Sequence, residues 1–120
     1  MVVASVLVVD DDSAFLALAA QVLEEIGVGV VLRASDAAEA VAVAAAERPA
    51  AALVDVGLPD REGIDLARQL AASPWKPRVV LTSTDRDAGR ALAGGLDGTI
   101  AFIPKEELAG CSLRRLLDAE

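Results

Sequence analysis

Short unbroken apolar runs alternate along the chain with stretches of helical period. Residues 5–9, SVLVV, show no polar alternation and run straight into Asp10, Asp11 and Asp12, which predicts a parallel strand buried on both faces. Phe15, Leu18, Ala19, Val22 and Ile26 follow at helical spacing, with Asp12 or Ser13 as N-cap and Gly27 as the stop. Residues 28–34, VGVVLRA, predict a second strand. Asp36 and Glu39, three residues apart, form a capping box for a helix to about Glu47, which Pro49 closes. Residues 51–54 are a third strand ending in Asp55, and a third helix is expected over 62–72. After the turn-rich SPWKP come RVVLTST as fourth strand, a helix weakened by glycine over 85–93 and stopped by Gly94 and Gly95, TIAFIPK as fifth strand, and LRRLLDAE as closing helix.

Five β/α repeats with no linker between them predict one doubly wound α/β domain, a parallel sheet with helices on both faces and right-handed crossovers. A chain of 120 residues suffices for a single core. With 54% hydrophobic but 2% aromatic residues, that core must be built from Ala, Val, Leu and Ile. Nineteen acidic against eleven basic residues give a net charge of -8, which repels phosphate backbones and argues against direct nucleic-acid binding. The single cysteine, Cys111, cannot close an internal disulfide, in keeping with a cytoplasmic location. The opening MVVASVLVVDDD lacks a basic n-region and its apolar run is short, so neither a signal peptide nor a membrane span is expected.

The chemistry-bearing residues gather at the carboxyl ends of the strands, where ligands bind in sheets of this kind, at the topological switch point. They are Asp10, Asp11 and Asp12 after strand one, Asp55 after strand three, Thr82, Ser83 and Thr84 at strand four, and Lys105 after strand five. A lone carboxylate at the end of the apolar run AALV is unexpected unless it has partners. Carboxylates sharing one edge repel each other unless a cation lies among them, and hard oxygen-seeking Mg2+ or Mn2+ suits such a cluster. Asp55 would then keep a nucleophilic oxygen, as in aspartyl-phosphate chemistry. The metal, a lysine and a hydroxyl would neutralise the oxygens of a transferring phosphoryl group.

On these residues the chain resembles a bacterial two-component response regulator receiver domain. LVVDDD is similar to the acidic end of that family's first strand, LVDVGLPDREG to its phosphoacceptor segment, VVLTST to its switch segment and FIPK to its lysine segment, all four in order. The resemblance spans essentially the whole chain. It implies a flavodoxin-like five-stranded sheet of order 2-1-3-4-5. Asp55 becomes the phosphoacceptor, Asp10 and Asp11 the metal-binding pair with Asp11 the more direct ligand, and Gly57 the donor of a backbone carbonyl. Thr82 matches the switch hydroxyl, Phe102 the aromatic rotamer switch, Lys105 the phosphate-pairing lysine, and Ser83 and Thr84 adjoin the site as modulators.

The implied function is Mg2+-dependent acceptance of a phosphoryl group from a sensor histidine kinase, a phosphotransfer protein or a small phosphodonor, with self-catalysed hydrolysis. The implied output is a change in the face made by the fourth helix, fifth strand and last helix, where Ala91, Leu92, Leu113 and Leu116 could dock a downstream protein or a second copy. Residues 1–120 read as one receiver domain without an output domain, either stand-alone or excised from a longer protein. Glu106 stands where the family usually has proline, so no cis peptide is expected after Lys105, a non-proline cis bond costing about 2.5–4 kcal/mol. Phe102 replaces the usual tyrosine, removing a hydroxyl contact.

Taken singly these residues have plainer roles. Asp12 is better read as a helix cap, Thr82 as a strand residue, Lys105 as a solvated lysine and Phe102 as core. Convergence at one sheet edge raises all but Asp12 above those roles. Gly27-Val28-Gly29 precedes a strand and lacks a third glycine, which rules it out as a dinucleotide loop. Trp75, at the far end of the sheet, is expected to have no chemical role. An aspartate-nucleophile phosphatase needs an acid/base two residues after the nucleophile, and Gly57 occupies that place. A degenerate receiver used only for protein contacts is disfavoured by the presence of Asp10, Asp11, Asp55, Thr82 and Lys105 together.

Overall fold

A computed structural model describes residues 4–85 and 100–108. The element order is β1 (Ser5–Val9), α1 (Ser13–Glu25), β2 (Val30–Ala34), α2 (Ala37–Glu47), β3 (Ala51–Asp55), α3 (Gly63–Ala71), β4 (Arg78–Ser83) and β5 (Ile100–Pro104), with a 3-10 turn over Lys105–Glu107. The sequence-predicted fourth and closing helices lie outside the described residues, together with Gly89, Ala91, Leu92, Gly94, Gly95, Cys111, Leu113 and Leu116. Among the described residues no helix is long and apolar enough to cross a membrane.

The five strands form one sheet, parallel as the alternation predicts and of order β2-β1-β3-β4-β5 as the family resemblance implies. The chain steps from β1 outward to β2, then returns past β1 to β3. Right-handed crossovers therefore send α1 to one face and α2 and α3 to the other, and the reversal falls between β1 and β3. Side chains alternate accordingly. Val6, Val8, Leu53, Val80 and Ile103 pack with Phe15, Leu16, Ala19 and Leu23 of α1. Leu7, Val9, Val54, Val79 and Leu81 pack with Ala37, Ala40 and Ala44 of α2 and Leu66, Ala67 and Leu70 of α3. Both faces of β3 are thus covered, and all five of its residues are buried.

Several local expectations shift by a residue or two. In α1 the stripe falls on Phe15, Leu16, Ala19, Ala20, Val22 and Leu23, whereas Leu18, expected in it, is 49% exposed. The neighbouring Leu16 offers the same helical period on the side that faces the sheet. Asp12 is the N-cap, accepting from the Ala14 and Phe15 N–H groups, and Gly27 at φ 101 turns the chain out of the helix. β2 begins at Val30 because Gly27 and Gly29 shape a turn, in which a Cβ on Gly29 would lie 3.1 Å from the Ala4 carbonyl. The capping box is wider than predicted: Asp36 accepts from Glu39 N–H at 2.7 Å, while Glu39 reaches back to the N–H and hydroxyl of Ser35. α2 ends in Arg48, left-handed at φ 47, one residue before Pro49. β5 ends at Pro104, tolerated on a sheet edge where no ladder N–H is needed. Lys105 therefore begins the 3-10 turn, not the strand's last residue.

Candidate functional site

Val9 pairs with Val54, so β1 and β3 end side by side at the switch point. The next residues, Asp10 and Asp55, are both buried. Asp10 N–H donates to Ala34 C=O on β2, which fixes the strand end. One carboxylate oxygen of Asp10 accepts from Asp12 N–H at 2.9 Å. The other is paired with the Lys105 ammonium at 2.5 Å. Lys105 reaches Asp55 Oδ1 less closely, at 3.5 Å.

Asp11 is exposed beside them, and one carboxylate oxygen from each of Asp10, Asp11 and Asp55 lies within 4.8 Å of the others. Burial raises the Asp55 carboxyl above its usual range, and the Asp10 charge adds to this while Lys105 opposes it. Burial by itself would weaken the hold of Lys105 on its proton, but its contacts with Asp10 and Asp55 outweigh that and raise it overall. The ammonium also sits over the Phe15 ring, 4.4 Å from the centroid. A hard-oxygen set with an open, exposed edge at Asp11 has the chemistry Mg2+ or Mn2+ requires, and relief of carboxylate repulsion would favour such an ion here.

Thr82 pairs with Asp55 in the β3–β4 ladder. It is fully buried, and its hydroxyl has no hydrogen-bond partner among the described residues, a condition uncommon enough to call for a reason. Ser83 is buried, and its hydroxyl is already engaged by Asp85 N–H at 3.0 Å, whereas Thr84 is exposed. Phe102 is half-buried on β5, opposite Leu81, and packs against the core on the α2–α3 side. Asp10, Asp11, Asp55 and Lys105 therefore converge with Thr82 beside Asp55, whereas no contact brings Ser83, Thr84 or Phe102 to them among the described residues. Trp75 lies at the other end, its ring N–H bonded to Pro49 C=O and Arg48 above its face, so it closes that edge without entering the site.

The loop after β3 is held as a closed turn. Val56 N–H donates to Thr82 C=O, Gly57 bridges Glu62 in antiparallel fashion, and Gly63 N–H donates to Val56 C=O at 2.9 Å. Gly63 is obligatory because a Cβ would lie 2.0 Å from the Asp55 carbonyl oxygen. At Gly57 a Cβ would sit 3.9 Å from Asp55 Oδ2, an ordinary contact, so glycine leaves that side of the carboxylate open. Asp60, at the tip of the loop, was not singled out by the sequence. It accepts from Ala37 and Ala38 N–H at 2.9 and 3.0 Å, and these bonds hold its carboxyl below the usual range. Its only local signal, an Asp within a Pro-Asp turn, does not reveal a partner more than twenty residues away.

The response regulator receiver domain family matches residues 6–109. The chain is 37% identical over 124 residues to the transcriptional regulatory protein PdtaR of Mycobacterium tuberculosis, a match covering 96% of the chain and 60% of that protein. To the response regulator MprA of Mycolicibacterium vanbaalenii it is 37% identical over 101 residues, covering 83% of the chain and 43% of that protein. The chain thus spans less than two thirds of either relative. Among solved structures, the chemotaxis response regulator CheY4 of Vibrio cholerae shares the fold at TM-score 0.79 and 23% identity, over 96% of this chain and 99% of that one. A CheY-like receiver domain protein from Methanospirillum hungatei aligns at TM-score 0.71 and 27% identity, over 95% and 94% of the two chains.

Proposed function

Because the chain belongs to the response regulator receiver domain family, we propose that it is a two-component signalling switch whose phosphoacceptor is Asp55. The observation that carries this reading is the environment of Asp55. It is a buried carboxylate of raised pKa at the switch point, within reach of Lys105 and beside a buried hydroxyl, that of Thr82, with no partner among the described residues.

A carboxylate oxygen of Asp55 attacks the phosphorus of a phosphohistidine on a sensor kinase or phosphotransfer protein, or of a small acyl phosphate. The bond from phosphorus to the donor breaks, and the donor leaves with the electron pair and takes up a proton from solvent. Asp10, Asp11, Asp55 and the Gly57 carbonyl would hold Mg2+ or Mn2+, which when bound neutralises charge on the transferring group. Lys105 supplies a second positive charge to the phosphoryl oxygens, and the Thr82 hydroxyl gains the acceptor it lacks. Its movement frees space for Phe102 to turn inward. Gly57 provides no acid or base, so turnover is limited to the domain's own phosphoryl group. Residues 1–120 form one receiver domain in this reading, and its output runs through the face that includes β5.

The test is incubation with acetyl phosphate, with and without Mg2+, followed by mass measurement of the intact protein. The expected result is a Mg2+-dependent, base-labile phosphoryl adduct on the parent. An unmodified parent under these conditions overturns the reading in favour of a phosphorylation-independent interaction module.

A further inference from the structure

The loop that carries Gly57 leaves β3 tied to β4 by the bond from Val56 N–H to Thr82 C=O, and beyond that it is fastened at its base and at its tip. Its base is closed by the Gly57–Glu62 bridge and the bond from Gly63 N–H to Val56 C=O. Its tip is fastened by Asp60, whose two carboxylate oxygens accept from Ala37 and Ala38 at the start of α2. A helix start leaves N–H groups without intrahelical partners. Here Asp36 takes only that of Glu39, while those of Ala37 and Ala38 are taken by a residue from another segment. α2 is fixed in turn, because Ala37, Ala40 and Ala44 are buried against the sheet. The helix is therefore the anchored partner, and the loop is what Asp60 restrains.

We propose that Asp60 is a positioning residue: by tying the loop tip to the start of α2 it holds the Gly57 carbonyl in place beside Asp55, so that a divalent cation meets an ordered ligand set. This rests on reading Gly57 as a metal ligand. Asp60 itself touches neither the metal nor the reacting atoms. Supporting groups of this kind are worth about 10- to 100-fold in metal affinity, and with Gly57 offering one carbonyl among several ligands the lower end applies.

The α2 start contains its own control. Asp36→Ala removes a cap from the same helix without touching the loop, whereas Asp60→Ala removes the tie. MgCl2 titration by calorimetry, and amide exchange at Gly63 without metal, are measured for the parent and both variants. Asp60→Ala should weaken Mg2+ binding about tenfold and speed Gly63 exchange, and Asp60→Asn, which keeps one acceptor oxygen, should fall between. Asp36→Ala should lose thermal stability yet keep the parent's Mg2+ affinity and Gly63 protection. Parent-like Mg2+ binding in Asp60→Ala, or equal weakening in Asp36→Ala, overturns the proposal. If the parent itself shows no saturable Mg2+ binding, the metal reading fails, and Gly63 exchange alone decides the tie: unchanged exchange in Asp60→Ala overturns it. Should Asp60→Ala not fold, Asp60→Asn is judged by the same criteria.

Discussion

The ends of β1 and β3 each present a buried aspartate to the same lysine, yet the two carboxylates are treated differently. Asp10 has a partner on each oxygen, Asp12 N–H on one and Lys105 on the other. Among the described residues Asp55 has only the longer contact to Lys105, and burial together with the neighbouring Asp10 charge makes its ionised form costly. A buried charge closely paired with an opposite one stiffens a fold, whereas one left with a single long contact is a place where a new group can bind or react. On this argument Asp10 holds the lysine in position, and Asp55 is left free to react.

The strongest break between the two is all-or-none. Asp55→Asn should abolish the base-labile phosphoryl mass formed from acetyl phosphate and Mg2+, because among the described residues no other carboxylate at this edge combines burial with an open side. Retention of that mass on the variant, for example by transfer to Asp10 or Asp11, would erase the distinction.

Stability should separate the two next, and with opposite signs. Asp10→Ala strands the Asp12 N–H and leaves Lys105 with the more distant acid, for a loss of about 2 kcal/mol, or roughly 10 °C in melting temperature. Asp55→Asn removes a carboxylate disfavoured by burial and by Asp10, so it should melt above the parent by a few degrees. Thermal unfolding of both variants without divalent metal checks this, and two changes of the same sign would contradict the assignment of roles.

The gathering of these residues was legible in the sequence to the extent that topology alone determines it. β/α alternation implies a parallel sheet and so brings the strand ends carrying Asp10, Asp11, Asp55, Thr82 and Lys105 to one edge, while the order that makes β1 and β3 neighbours came from the family resemblance. Which oxygen each proton or ammonium approaches depends on side-chain geometry that no spacing encodes, so the inequality of Asp10 and Asp55 could not be read in advance. Asp60 stayed hidden for a related reason, because its partners are backbone N–H groups of a distant helix and leave no mark in residue type. Leu18 misled because Leu16 and Leu18 both fit a helical stripe, and only the direction in which α1 meets the sheet chooses between them.

The pH profile should sharpen the stability contrast. A carboxyl whose pKa is raised on folding binds its proton more tightly in the folded state. Its contribution to stability is therefore fully present below the ordinary value of 3.8 and is lost as pH rises through the folded value. The excess stability of Asp55→Asn over the parent should accordingly be small near pH 4 and grow towards neutrality. Millimolar Mg2+ should close the gap by stabilising the parent. Asp60, whose carboxyl is held below its usual range, works with the opposite sign, so its stabilising contribution is present above the ordinary value and fades as pH falls. Melting curves of Asp55→Asn and parent at stepped pH decide the matter, and a gap independent of pH would remove Asp55's ionisation as its source.

The smallest expected effect concerns what keeps Lys105 nearer Asp10 than Asp55. The ammonium rests on the face of Phe15 from α1, and a ring at 4.4 Å attracts it by about 0.5–1 kcal/mol at a site still partly open to water. Phe15→Leu retains apolar volume but removes that attraction, leaving the ammonium freer to move towards Asp55. Since a pKa shift of one unit corresponds to about 1.4 kcal/mol, the Asp55 carboxyl should titrate lower than in the parent by less than one unit. Carboxyl-carbon NMR through a pH titration without metal resolves a change of that size. The same substitution made at Phe102, which packs on the opposite face of the sheet, should leave the Asp55 titration in place. If Phe15→Leu also leaves it unmoved, the ring beneath the lysine has no part in making the two aspartates unequal, and the unequal distances must come from the backbone positions of β1, β3 and the 3-10 turn alone.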